Sequence, residues 1–184
     1  MTRQHLLAVA ILVACAAGIV RPVQAQVPPK AASHAEQLAM LKSTDPKLAR
    51  NKMHVFDFWR IVYEGGHVEE APKYMAPEYI QHNPNLPSGR DTFVNFFRTA
   101  RPPKPVQDHL KMPVVSITAE GNRVILLSAR KVRDRAKPDH IYYITWFDAF
   151  RLDDKGMIAE HWDPSEMWVD GKPPGAEFFV EWDK

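Results

Sequence analysis

The segment Glu160-His161-Trp162-Asp163 sets an imidazole and a carboxylate two residues apart near the end of an apolar run. In a strand that spacing puts both on one face unless a bulge intervenes. Among apolar neighbours Asp163 would hold its proton more tightly than an exposed aspartate, so it could take a proton from beside a carbonyl and return it later. Standing just before Pro164, it could equally cap the turn that ends the strand. His161 has the same two readings, a proton-handling group or a packed strand histidine. Asp148 lies between Phe147 and Ala149, so its carboxyl must be ion-paired, with Arg151 or Arg130 at hand, or hydrogen-bonded, or neutral. His82 and Asn83 precede Pro84, whose bend leaves open which of the two points inward. Tyr79, Trp59, Trp146 and Trp162 could line an apolar cavity or fill a plain core, and Trp146 shares the strand parity of Asp148.

Other chemistries find no foothold. His82, His109, His140 and His161 lack tight ligand spacing, so no metal site is expected. There is no glycine-rich phosphate loop, no nucleophile elbow and no dinucleotide fingerprint, so no cofactor is expected either. Cys15 is the only cysteine, and it falls within a leader-like stretch: Arg3, an apolar run over residues 6–20, then Val23-Gln24-Ala25 with small residues for cleavage. The chain is therefore expected to be exported, periplasmic or secreted, with residues 1–25 removed after Ala25 and no disulfide left. The tetrapeptide Leu12-Val13-Ala14-Cys15 also resembles a lipobox, which would make Cys15 a lipid anchor. Loss of Arg3 and Arg21 reduces 24 basic residues to 22, matching 22 acidic ones. A neutral chain whose one cationic run, residues 130–137, is broken by Asp134 is not built for nucleic acid.

The elements that must position these groups fall in an α+β order. Residues 26–44 are polar and poorly patterned and read as a flexible segment. Asp45-Pro46 then gives an N-cap and a first-turn proline, and Gly65-Gly66 a stop. Between them Val55, Trp59 and Val62, with Phe56 and Tyr63 beside them, form one wide apolar helical face. A short helix over residues 68–75 and a strand from Tyr79 to the Pro84 turn follow. Ser88 and Asp91 suggest a capped third helix whose Phe93, Phe96 and Phe97 share a face. From residue 110 onward strands are predicted over 114–119, 123–133, 141–152 and 157–163, joined by Glu120-Gly121-Asn122 and Asp153-Asp154-Lys155-Gly156 turns. Helices gathered on one face of an antiparallel sheet is the arrangement this order favours.

Three segments, residues 79–84, 147–151 and 156–163, resemble in order and spacing the signature segments of SnoaL-like (polyketide cyclase-like) proteins of the nuclear transport factor 2 (NTF2-like) superfamily. The resemblance runs from about Lys47 to Trp168. It implies a cone of three N-terminal helices on a strongly curved antiparallel or mixed sheet, around one small-molecule pocket. It implies further that Asp163 acts as general acid or base, with His82 assisting. Asp148 would be a neutral carboxyl that donates to a developing enolate, as in the steroid isomerases of this fold.

On this reading the chain divides into a signal peptide (1–25), a flexible segment (26–44), the SnoaL-like domain (45–168) and a C-terminal extension (169–184) packed on the domain or on a partner. Asp163, His82 and Asp148 are the expected catalytic residues, and Tyr79, Asn83, His161, Trp146, Trp59 and Trp162 the expected binding residues. The expected ligand is a small apolar carbonyl-containing metabolite. The expected chemistry is aldol condensation or cyclisation, isomerisation or dehydration, and the alternative is a secreted protein that binds an apolar metabolite without turning it over. The resemblance also implies a homodimer through the outer face of the sheet, which would explain why the strand over 141–152 is apolar on both faces.

Overall fold

Asp45 and Pro46 start the long helix as their types require. The Asp45 carboxylate accepts from the amides of Lys47 and Leu48, and α2 runs from Pro46–Asp57. It continues without a break into π-helical turns, Phe58–Glu64. A π turn holds an extra residue, and here the adjacent Phe58 and Trp59 are both buried, each meeting the ring of Phe150 edge-on at about 6 Å. Gly66, at φ 71°, ends the run where any Cβ would strike the carbonyl oxygens of Arg101 and Pro102 at 2.6 and 2.7 Å.

The computed structural model describes residues 27, 29–134, 137 and 139–164. The expected signal peptide with Cys15, and the expected extension over 169–184, lie outside the described residues. Within 26–44, read as flexible, the structure forms a helix, α1 (His34–Leu41), opened by a reciprocal capping box between Ser33 and Glu36. What the polar pattern does not announce is the docking. Gln37, 1% exposed, donates to Leu110 O and accepts from Leu110 N, and Lys52 Nζ donates to the carbonyls of Met40 and Lys42 at the end of α1. These bonds act together with Leu41, which is buried in the core, to dock a helix that shows no clear apolar stripe.

A 3₁₀ segment (Val68–Lys73) leads into β1 (Met75–Gln81), which begins four residues earlier than expected and carries Pro77 inside it. β1 is an edge strand, where a residue without an N–H is tolerated. Helix α3 (Arg90–Ala100) is not capped by Ser88. Gly89, at φ 104°, precedes it, and Ser88 Oγ instead accepts from Gln81 N. Strands β2 (Val114–Glu120), β3 (Arg123–Arg133), β4 (Ile141–Leu152) and β5 (Ile158–Trp162) fall where the alternation places them.

The five strands form one mixed sheet in the order β1-β5-β4-β3-β2, with β1 parallel to β5 and the other pairs antiparallel. The sheet is not closed; β1 and β2 are its edges. This is the expected α+β arrangement, consistent with an NTF2-like cone. Even-numbered residues of β3 and β4 face inward: Val124, Leu126, Ser128, Trp146, Asp148, Phe150 and Leu152 are all buried. Val55, Phe58, Trp59 and Val62 from the long helix share a core with Leu126, Phe150 and Leu152, each fully buried side chain contributing about 1.5–3 kcal/mol.

Candidate functional site

Along the inner face the apolar core gives way to polar groups drawn from four strands. In β5 a register shift against β4 follows Ile158, and His161, which shares the parity of Ala159, lies opposite Phe150 of β4 and beside Gln81 of β1. The imidazole lies flat on the Phe150 ring, 4.6 Å between centroids at 17°. His161 Nε2 is 3.2 Å from Asp148 Oδ1, and the Asp148 side chain is 1% exposed. On the other side of that carboxyl, Arg130 of β3 lies 4.0 Å from Oδ2, with its guanidinium stacked 4.0 Å above the centroid of Trp146. Trp59 joins this wall at one remove, through Phe150.

Asp163 follows β5 immediately, and its side chain is 12% exposed. Asn83 Nδ2 donates to both of its oxygens, at 3.2 and 3.1 Å, and His161 Nδ1 is 3.8 Å from Oδ1. Burial raises the proton affinity of Asp163. His161 pulls it back, Asp148 adds to it, and Asn83 and Arg130 oppose it. Tyr79, two residues before Gln81 on the inner face and 2% exposed, has its phenol pushed well up, first by burial and then by Asp163 and Asp148. It is therefore a neutral wall of the site.

Asp163, Asp148, His161, Asn83, Tyr79 and Trp146 are thus brought together. His82 and Trp162 are not. Parity sends both to the outer face, where the two rings stack at 4.5 Å and 5°. There His82 Nε2 lies 2.9 Å from Glu160 Oε2, and Glu160 also binds Arg151 Nε at 2.5 Å. That arrangement settles which side chain beyond β1 meets Asp163: it is Asn83, with His82 directed away. Asp148, expected as a neutral donor, has its Oδ1 3.2 Å from His161 Nε2 and its Oδ2 4.0 Å from the Arg130 guanidinium, two groups able to donate to it.

Gln81 and Phe150 went unrecognised in the sequence although parity marks both, Gln81 lying midway between Tyr79 and Asn83, and Phe150 two residues beyond Asp148. Among the described residues no cluster of three His, Asp or Glu side chains is arranged to hold a metal ion, and no helix is long and apolar enough to cross a membrane. A surface groove of about 420 Å³ between residues 31–34 and 109–111 sits at the β2 side of the sheet and is lined by none of the expected site residues. No carboxylate lines it, so the polar cluster is the better candidate.

Residues 55–161 match the family model described as a SnoaL-like domain. Among solved structures the chain is similar to TsrD from Streptomyces laurentii, with 19% identity, a TM-score of 0.42, and 67% of this chain and 90% of that one covered. It is also similar to an LEH-like epoxide hydrolase from M. tuberculosis, at 12% identity and TM-score 0.44, covering 61% and 76% of the two chains. A third is an NTF2-like protein from Burkholderia pseudomallei, at 19% identity and TM-score 0.39, covering 62% and 89%. No curated protein matches.

Proposed function

Because this chain belongs to the SnoaL-like domain family, whose fold suggests small-molecule binding or cyclase and isomerase chemistry, we propose that it is a cofactor-free enzyme acting beside the carbonyl of a small apolar metabolite, with Asp163 as its acid and base. One observation carries this reading. Asp163 is a carboxylate whose proton affinity is raised by burial, yet whose two oxygens are aimed by a single amide, that of Asn83. A general base needs that combination of fixed direction and retained basicity.

In the proposed step, Asp163 takes the proton from the carbon next to the carbonyl. The C–H electron pair moves to the carbonyl oxygen as an enolate, and the new O–H is on Asp163. The enolate carbon then attacks a second carbonyl, in a condensation or cyclisation, or is reprotonated elsewhere, in an isomerisation. The Asp163 proton goes to the alkoxide or carbon formed. Asp148 supports the step by holding His161, and His161 with Tyr79 walls the reacting centre.

Proton abstraction can be read directly. Incubation in D₂O with a panel of aryl ketones, cyclic enones and β-ketoesters, followed by proton NMR, should show exchange at the carbon beside the carbonyl. Asp163→Asn should slow that exchange by about 10²–10⁴-fold. Equal rates for the two proteins would reject the proposal.

A second reading is favoured by a different observation. Asp148 is engaged by His161 and faces Arg130, whereas the Asp163 oxygens are held by the neutral Asn83 amide and keep lone pairs for a ligand. Such a site also suits a protein that binds an apolar metabolite without turning it over. That reading expects a compound to co-purify and no exchange with any member of the panel.

A further inference from the structure

We propose that Gln81 is a positioning residue that fixes the tautomer of His161, keeping the proton of the neutral ring on Nε2, toward Asp148, and the lone pair on Nδ1, toward the Gln81 amide. The inference begins from a backbone amide, which can only donate. Asn83 N lies 3.1 Å from Gln81 Oε1, so that atom must be the amide oxygen, and the NH₂ group is what faces His161. Gln81 Nε2 is 3.1 Å from His161 Nδ1. A donor there requires an acceptor on the ring, so Nδ1 is the unprotonated nitrogen. The remaining proton sits on Nε2 and is donated to Asp148 Oδ1 at 3.2 Å.

The same logic fixes the neighbouring amide. Asn85 N donates to Asn83 Oδ1 at 2.9 Å, which turns the Asn83 NH₂ toward Asp163. Two backbone amides in the turn after β1 thus set two side-chain amides, and these set the hydrogen-bonding states of His161 and Asp163. Rotating the Gln81 amide would leave Asn83 N–H facing an NH₂. Protonating Nδ1 instead would set two donors against each other. The parallel register of Gln81 with His161 holds the pair side by side and allows neither adjustment without loss of a hydrogen bond.

The consequence for chemistry rests on the reading of Asp163 as base. With a lone pair on Nδ1, His161 cannot donate to Asp163 from 3.8 Å away. Among the described residues Asp163 then accepts only from Asn83, while Asp148 accepts from the ring N–H.

Nitrogen-15 NMR of the full-length protein reads the tautomer without a substrate. At pH 8, with His161→Phe identifying the signals, the wild type should show one pyridine-like nitrogen, coupled as Nδ1, and one pyrrole-like nitrogen, coupled as Nε2. Gln81→Glu places an acceptor at Nδ1, so the pyridine-like signal should be lost. A wild-type spectrum with Nδ1 protonated, or with both nitrogens at averaged positions, would overturn the proposal, as would an unchanged pattern in the Glu variant. Asp163→Asn should leave the pattern intact whatever it does to exchange. An intact pattern with unchanged exchange would sink the catalytic reading alone.

Discussion

Replacing Asp148 by Asn keeps the shape of the side chain and removes its charge, which separates an acceptor carboxylate from the neutral donor that the family resemblance implies. If the carboxylate is the state the fold uses, its loss takes away the charge 4.0 Å from Arg130, whose side chain is 11% exposed. Breaking a buried pair from one side typically costs about 3–5 kcal/mol. The 4.0 Å separation corresponds to about 4 kcal/mol at an effective dielectric near 20, and partial exposure of Arg130 reduces it, so a coupling of about 2–4 kcal/mol is expected. The assay is a double-mutant cycle: urea denaturation at pH 7 of the wild type, Asp148→Asn, Arg130→Met and the double variant, with slopes compared so that midpoints convert to free energies. The double variant should lose less stability than the two single variants together, since the interaction between the two charges is already gone in each. Raising the salt concentration should change the coupling little, because the pair is shielded from solvent. A coupling below about 0.5 kcal/mol would show that no ion pair exists and would restore the neutral-carboxyl reading of Asp148.

Two further outcomes follow from the same structure. Burial raises the proton affinity of Asp163, against His161, Asn83 and Arg130 and with the help of Asp148. The ionised carboxylate therefore costs stability wherever it is charged in both folded and unfolded states. Asp163→Asn should be more stable than the wild type at pH 7, and the difference should shrink as pH falls through the raised folded value and vanish below the unfolded value of about 3.9; thermal melts across that range that show no such convergence would refute it. On the outer face Phe147 lies opposite Leu127 and Ile125 opposite Ala149, with Phe147 and Ile125 more than 40% exposed. We expect a second copy of the chain on this surface, so light scattering should give a dimer that Phe147→Asp dissociates, and a wild-type monomer at tens of micromolar would contradict it.

Much of the architecture was legible because it depends on neighbours in the chain. Asp45-Pro46 and Gly65-Gly66 bound the long helix through local backbone chemistry, and two-residue alternation marked β2 to β5 and set Asp148 beside Trp146 in parity. The same alternation selected His161 and Asp163 as a pair. Three signature segments were enough to indicate the family, since each sits at a strand or turn whose spacing the fold constrains.

What the chain order alone could not decide is which side of a strand becomes the inside. That choice belongs to partners far away in sequence. His82 and Asn83 are adjacent and similarly polar, and only the pairing of β1 with β5, 80 residues on, sends His82 to Glu160 and Asn83 to Asp163. The surroundings of Asp148 depend on a strand pairing that brings Arg130 near it, and α1 is docked by Gln37 and Lys52 as well as by Leu41 in the core. Periodicity is a local property and survives in the sequence. A hydrogen bond between strands has a donor and an acceptor at unrelated positions, so the tertiary structure alone determines which groups meet.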